Sequence, residues 1–340
     1  MRFLLRAFWT AGAVSLLSFL VLLGAFFHFK NYIHSPASST PREMIFPIPK
    51  GASFKTTLAR LEKSDLVGNA FYFDLLARAK GKRGSLKAGE YALDTGMTPL
   101  HILEMITEGK CLQLTLTVPE GFNMVEIARR AQELGVGAAD EFLRIARDPK
   151  VLDRHAVKAD SLEGYLFPDT YQFAKGSGLD VVVDMMAGNF VKKVRTEEIS
   201  REIEGSGFSF HEILTLASLI EKETALVEEK ELISAVFHNR LKKKMLLQCD
   251  PTVIYALKDF DGNIRKKDLQ TDSPYNTYRY RGLPPGPIAN PGLGSILAAL
   301  HPAPIDALYF VSKKDGSHHF SSTLEEHNQA VRKFQLNKRS

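Results

Sequence analysis

The chain has 340 residues, of which 44% are hydrophobic and 24% charged, with a net charge of +5. These are the values of an ordinary folded protein with room for about two globular domains. The basic excess is scattered in short clusters such as Lys242-Lys243-Lys244 and Arg265-Lys266-Lys267, and no nucleic-acid module accompanies it, so these are solvated faces and not a nucleic-acid stripe. A mildly basic surface suits an anionic membrane or an acidic polymer.

From Ala7 to Phe29 the chain runs 23 residues without Lys, Arg, Asp or Glu. That is long enough to cross a hydrocarbon core as a helix. Arg2 and Arg6 precede it and Lys30 follows. The positive-inside bias then keeps residues 1–6 in the cytoplasm, makes 7–29 a transmembrane anchor and exports the rest. A cleaved signal peptide, with small residues from Ser35 to Ser39, is the competing reading. Residues 30–43, with Pro36 and Pro41, read as a linker. Cys111 and Cys249, the two cysteines, are too far apart for a thiolate metal site; on the exported side they form one bridge or stay as buried thiols.

A strand, turn and helix pattern then occurs twice. Ile45 to Gly51 leads into Ser53–Leu61, and Leu116 to Gly121 leads into Asn123–Leu134. A weaker echo runs from Gly89 into Leu100–Leu103, with Thr98 as N-cap and Gly109 as stop. Such units recur by chance in α+β proteins, or they build a lysin-motif-like module that lays a glycan along a shallow groove. We assign that module to residues 44–135, a connecting helix to 136–160 and a mixed α/β domain to 161–340, an α+β architecture overall.

In the second domain, Ser209-Phe210-His211-Glu212 is a capping box that opens a helix through Ile213, Leu214, Leu216, Ala217 and Ile220. The helix delivers Glu221 near its C-terminal end. A carboxylate held against apolar neighbours loses hydration, which favours the neutral acid that proton donation requires. Glu221 shares a face with Leu214, Ala217 and Ser218, whose small members leave room for a ligand. Glu223 lies about 200° further round the helix and is expected to be structural or solvent-facing. A second helix covers roughly Glu229 to Lys243. Ser273 to Gly294, rich in Pro, Gly and aromatics, reads as a binding loop.

Several ordered segments carry a family resemblance: Glu163 to Tyr171, Ala217 to Ala225, Asn239-Arg240-Leu241, Leu247 to Tyr255, Ser273 to Tyr278, Gly282 to Gly292, His319-Phe320 and Glu326-His327-Asn328. Over nearly its whole length the chain resembles the membrane-anchored endolytic murein transglycosylases of the YceG-like type. Cys249 departs from the small polar residue expected between Gln248 and Asp250.

The resemblance implies a lyase that cuts peptidoglycan between MurNAc and GlcNAc. It would leave 1,6-anhydroMurNAc ends and terminate strand elongation. The family's catalytic glutamate is placed at Glu221, acting as acid and then as base, with no obligatory second carboxylate. Gln248, Asp250, Tyr275, Asn276 and Tyr278 are the cleft candidates, each with a structural alternative; Glu163 and Asp169 are read as structural. A muramidase-type hydrolase and a non-catalytic peptidoglycan-binding scaffold are the alternatives.

No cofactor is expected, and no metal. His211-Glu212 lacks the second His of a zinc-protease helix, and His318, His319 and His327 lack ligand spacing. The expected partners are glycan strands, cytoplasmic membrane lipid and, by resemblance, peptidoglycan synthases. The expected location is the inner membrane, single-pass, with a periplasmic catalytic domain if an outer membrane is present.

Overall fold

The structure, a computed structural model, describes residues 2–257 and 260–336. The chain divides into two compact units, Met1–Leu114 with Phe173–Ser177, and Thr115–Gln172 with Gly178–Ser340.

The first unit opens with helix α1 (Arg2–His34). Its window Gly12–His34 has a mean hydropathy of 2.0, long and apolar enough to cross a membrane as an anchor or to act as a signal sequence. Strand β1 (Glu43–Ile48), helices α2 (Phe54–Lys63) and α3 (Ala70–Ala79), strand β2 (Gly89–Asp94) and helix α4 (Pro99–Glu108) follow. β1 and β2 are antiparallel, with Glu43 opposite Asp94 and Ile48 opposite Gly89.

The starts of these helices follow from their caps. Ser53, Asn69 and Thr98 accept hydrogen bonds from the amides of Thr56, Tyr72 and His101, and Gly109 ends α4 at φ 80°. The apolar faces of both strands and all three short helices meet in one core that includes Phe46, Leu61, Phe73, Tyr91, Leu93, Ile102 and Ile106.

Strand β3 (Gln113–Val118) leads into α5 (Met124–Glu133), α6 (Ala139–Ile145), α7 (Pro149–Arg154) and strand β4 (Asp169–Ala174), which pairs with β3. The second copy of the repeated pattern therefore lies in the second unit, whose first segment begins at Thr115. The apolar face of α5 explains this. Met124, Ile127, Ala128 and Ala131 are buried, and α5 packs against α6, which contributes the fully buried Phe142. The expected connecting helix is two short ones, because Asp148 caps a new helix that starts at Pro149.

Helices α8 (Leu179–Val194), α9 (Glu197–Ser206), α10 (Phe210–Glu223), α11 (Val227–Lys242), α12 (Asp250–Ala256) and α13 (Leu293–Leu300) follow. An antiparallel hairpin of β5 (Tyr309–Ser312) and β6 (His318–Ser321), then α14 (Leu324–Val331), completes the described elements. The fold is thus mixed α and β, and the second unit is mainly helical.

Helix α10 is its centre. The capping box of Ser209 and Glu212 forms as expected. Every residue from Ile213 to Ile220 is buried, so the helix is enclosed on all sides, as an all-round apolar run demands. It packs against α9, α11, α12 and α13. Its hydroxyls are satisfied locally: Thr215 donates to the His211 carbonyl, and Ser218 donates to Thr215 while accepting from the Ile288 amide.

Candidate functional site

The last turn of α10 presents two carboxylates in different directions. Glu221 points into the protein. Lys230 Nζ lies 3.2 and 3.3 Å from its two oxygens, Ser295 Oγ donates at 2.6 Å and the Gly292 amide at 2.9 Å. The side chains of Glu221 and Lys230 are each 7% exposed, and Glu120 stands 3.7 Å from the same ammonium. A Cβ at Gly292 would lie 1.8 Å from Glu120 Oε1, so a side chain there would make the Glu120 carboxylate swing aside.

This differs from the surroundings expected of Glu221. Leu214, Ala217 and Ser218 do line its face, but they are filled in by packing, with no room for a ligand. The carboxylate is solvated by protein donors and neutralised by a cation. An ion pair of this kind holds the junction of α10, α11 and α13.

Glu223 corrects the other half of the expectation. It is not in a solvent-facing run but lines a cavity of about 290 Å³ with Arg240, Leu247, Gln248, Asp250, Tyr278, Phe310 and His327. Burial pushes its carboxyl up to about 6; the Cys249 thiol hydrogen bond opposes this, and the nearby charge of Asp250 adds to it. Gln248 reaches the cavity from a left-handed backbone at φ 53°, held by its amide donating to Thr277 O at 3.2 Å. Such a conformation is costly for a residue with a Cβ and persists only where the surroundings enforce it.

The opposite walls are built by tertiary contacts. Tyr278 donates its hydroxyl to Asp250. Arg240, 7% exposed, donates to the carbonyls of Leu308, Leu246 and Leu247, tying the hairpin to the segment that bears Gln248. His318 Nδ1 sits 2.6 Å from Glu229 Oε2, and its amide donates to the other oxygen at 2.7 Å, pinning β6 to α11. His327 stacks on Tyr309, and burial, with the nearby charge of Arg240, lowers its pKa.

Three of the five cleft candidates, Gln248, Asp250 and Tyr278, are thus brought together, around Glu223 and not Glu221. Tyr275 lines a different cavity, about 330 Å³, with Asp160, Glu163 and His211. Asn276 is fully buried and structural: its Nδ2 donates to the carbonyls of Leu269 and Thr271, and its Oδ1 accepts from the Tyr278 amide. It shapes the turn that aims Tyr278. Cys111 and Cys249 are both free thiols.

Glu163 and Asp169 are both held by protein donors. Asp169 accepts from Asn189 and Lys193. Glu163, 5% exposed, accepts from the Met124 amide, Asn290 Nδ2 and the Tyr255 hydroxyl. Burial outweighs these donors and pushes the Glu163 carboxyl up to about 7 from 4.5. Folding therefore binds a proton more tightly at this site. The penalty is absent below about pH 4.5 and grows until pH passes 7, reaching about 3 kcal/mol. Denaturant unfolding at pH 5 and pH 8 should show that loss in the wild type and a smaller one in Glu163→Gln; equal slopes for both would refute the assignment.

Arg240 and His327 belong to segments already prominent in the sequence, but their part in this cavity was not. Leu247 opens one of the segments that carry the resemblance, whereas Phe310 gave no signal beyond that of an ordinary apolar residue.

Fold and cleft together define an α+β protein with a helix-borne carboxylic acid in a small polar cavity. The chain belongs to the YceG-like family, whose model matches residues 46–333. It is 35% identical over 332 residues to the endolytic murein transglycosylase of Bacillus subtilis (strain 168), covering 93% of this chain and 91% of that protein. To the endolytic murein transglycosylase of Streptococcus pneumoniae (strain D39) it is 31% identical over 358 residues, covering 94% of this chain and 64% of that protein. The crystal structure of a yceG-like protein from Listeria monocytogenes is similar, with a TM-score of 0.59 and 34% identity over 84% of this chain and 98% of that one.

Proposed function

We propose that the chain is a peptidoglycan lytic transglycosylase, a lyase of the endolytic type, and that Glu223 is its proton donor. The relatives named endolytic murein transglycosylase support the activity, and one observation supports the residue: Glu223 is the carboxyl that shares a cavity with Gln248, Asp250 and Tyr278. Poor hydration keeps a fraction of Glu223 protonated near neutral pH. It gives its proton to the glycosidic oxygen as the bond from MurNAc C1 breaks and oxocarbenium character develops. The carboxylate left behind takes the proton from the C6 hydroxyl as that oxygen bonds to C1, which closes the 1,6-anhydro ring. Atoms balance without water, and one group serves as acid and then base. Gln248 and Tyr278 are placed to hydrogen-bond or stack on sugar, and Asp250 orients Tyr278.

Digestion of sacculi in heavy-oxygen water tests the reaction. The expected fragments carry anhydro ends, lighter by one water than reducing ends, with no solvent oxygen. Reducing muramic acid bearing the label would replace this reading with a hydrolase. Asp250→Asn tests the electrostatics: removing the charge that raises Glu223 should move the alkaline limb of the kcat/KM profile to lower pH. An unmoved limb would separate Asp250 from the acid.

The helix α1 is read as an uncleaved anchor with its N-terminus in the cytoplasm, which confines the exported site to the zone where nascent strands emerge. The order β1-α2-α3-β2 supports a lysin-motif-like glycan-binding module, and peptidoglycan synthases are the expected neighbours in strand termination.

A further inference from the structure

Within the first unit, the end of α1 is not free. Tyr72, near the start of α3, packs its ring against His28, Phe29 and Tyr32 at centroid distances of 5.5, 5.9 and 5.3 Å. The Tyr32 hydroxyl donates to the Asn69 carbonyl at 2.8 Å, closing the same joint. By contrast, every residue of α1 from Gly12 to His28 is exposed, as is Trp9. At about 1.5 Å per residue the helix rises ~30 Å from Trp9 to His28, the thickness of a hydrocarbon core. The globular unit therefore begins where the apolar slab would end.

Beside that joint stands an apolar pair with no protein cover. Phe71 is 73% exposed and Leu75, one turn on and on the same face of α3, is 40% exposed. The Phe71 ring lies 5.7 Å from that of Tyr72, which itself packs 5.5 Å from the ring of His28 on α1. Arg78 continues the stripe, held by Asp74 at 2.6 Å, with its guanidinium in solvent. Aromatic rings followed by a basic group are the arrangement that settles at a bilayer interface.

We propose that the first turn of α3 is a membrane-seating surface, with Phe71 and Leu75 buried in the outward-facing lipid interface beside the emerging anchor. This rests on α1 being a retained anchor. It adds that the first unit is held against the bilayer by a second contact, where a single helix alone would leave it free to swing. The occupant is lipid, because Phe71 adjoins Tyr72, whose ring packs on the end of the exposed apolar stretch of α1, and this puts hydrocarbon within its reach.

Trp9 is the chain's only tryptophan, so the full-length protein supplies its own control. In vesicles of phosphatidylcholine brominated near the headgroup end of the chain, Trp9 emission in the wild type should be quenched, reporting the anchor. The double variant Trp9→Phe, Phe71→Trp should also be quenched, at least about two-fold, with blue-shifted emission, as an interfacial tryptophan requires. If Trp9 is quenched but Trp at 71 emits as in water and is unaffected by bromine, the seating surface is overturned and the anchor stands. If Trp9 is not quenched either, the anchor reading falls and the proposal falls with it.

Discussion

Glu223→Gln is expected to lower transglycosylase turnover by ~10²–10⁴-fold, the contribution of a positioned general acid and base, while leaving the fold intact. Gln keeps the size of the side chain but has no proton to give to the glycosidic oxygen, and its amide cannot take one back from the C6 hydroxyl. Glu221→Gln is the necessary companion. If Glu221 only braces α10 against α11 and α13, this variant should melt earlier yet retain turnover within about ten-fold below its melting temperature, an effect small beside that of general acid catalysis. Anhydro-product release per folded molecule, measured for both variants below both transitions, decides between them. Silence of Glu221→Gln with full activity of Glu223→Gln would return the catalytic role to Glu221. The pH profile gives an independent check. With its carboxyl raised to about 6, Glu223 is protonated below that value, so kcat/KM should fall as pH rises through about 6.

The second large effect concerns the buried charge pair. Lys230→Met leaves the Glu221 carboxylate, 7% exposed, without its cation. Breaking such a pair from one side costs about 3–5 kcal/mol, because the remaining charge stays desolvated. For a unit of this size that corresponds to a fall in Tm of order 10 °C. Adding Glu221→Gln to Lys230→Met should recover a good part of the loss. The amide is neutral and still offers an acceptor to the Ser295 hydroxyl and the Gly292 amide. Glu221→Gln alone should cost less than Lys230→Met, since Lys230 keeps Glu120 at 3.7 Å. Thermal unfolding of the three variants forms a double-mutant cycle, and strict additivity would show that the two groups do not interact.

These two experiments turn on a distinction of two residues in one helical turn. The apolar run before Glu221 was taken as the cause of poor hydration at that carboxylate. The same run instead buries α10 on all sides, and the buried carboxylate recruits Lys230 from the next helix and Ser295 from a segment 74 residues away. The Glu221-Lys222-Glu223 run predicts a structural or solvent-facing Glu223. The cavity around it is formed by Arg240, Gln248, Asp250, Tyr278 and His327, none of them near in sequence. Asn276 illustrates the same limit: an amide in an aromatic loop serves sugar or turn equally well until its partners are known.

The sequence by itself determined the membrane-length helix, the helix starts at Ser53 and Asn123, the caps at Thr98 and Ser209, the glycine stop at 109 and the set of segments that announce the family. Each of these is local: periodicity, a cap or a turn residue acts within a few positions and carries its cause in the neighbouring letters. Only the tertiary structure decided that the second strand, turn and helix belongs with the second unit, that Glu221 is paired with a buried lysine, and that Glu223 faces the cavity. Those outcomes depend on which distant donors and rings arrive beside a carboxylate. Hydration and charge at a buried group are set by that assembly, and no stretch of adjacent residues contains it.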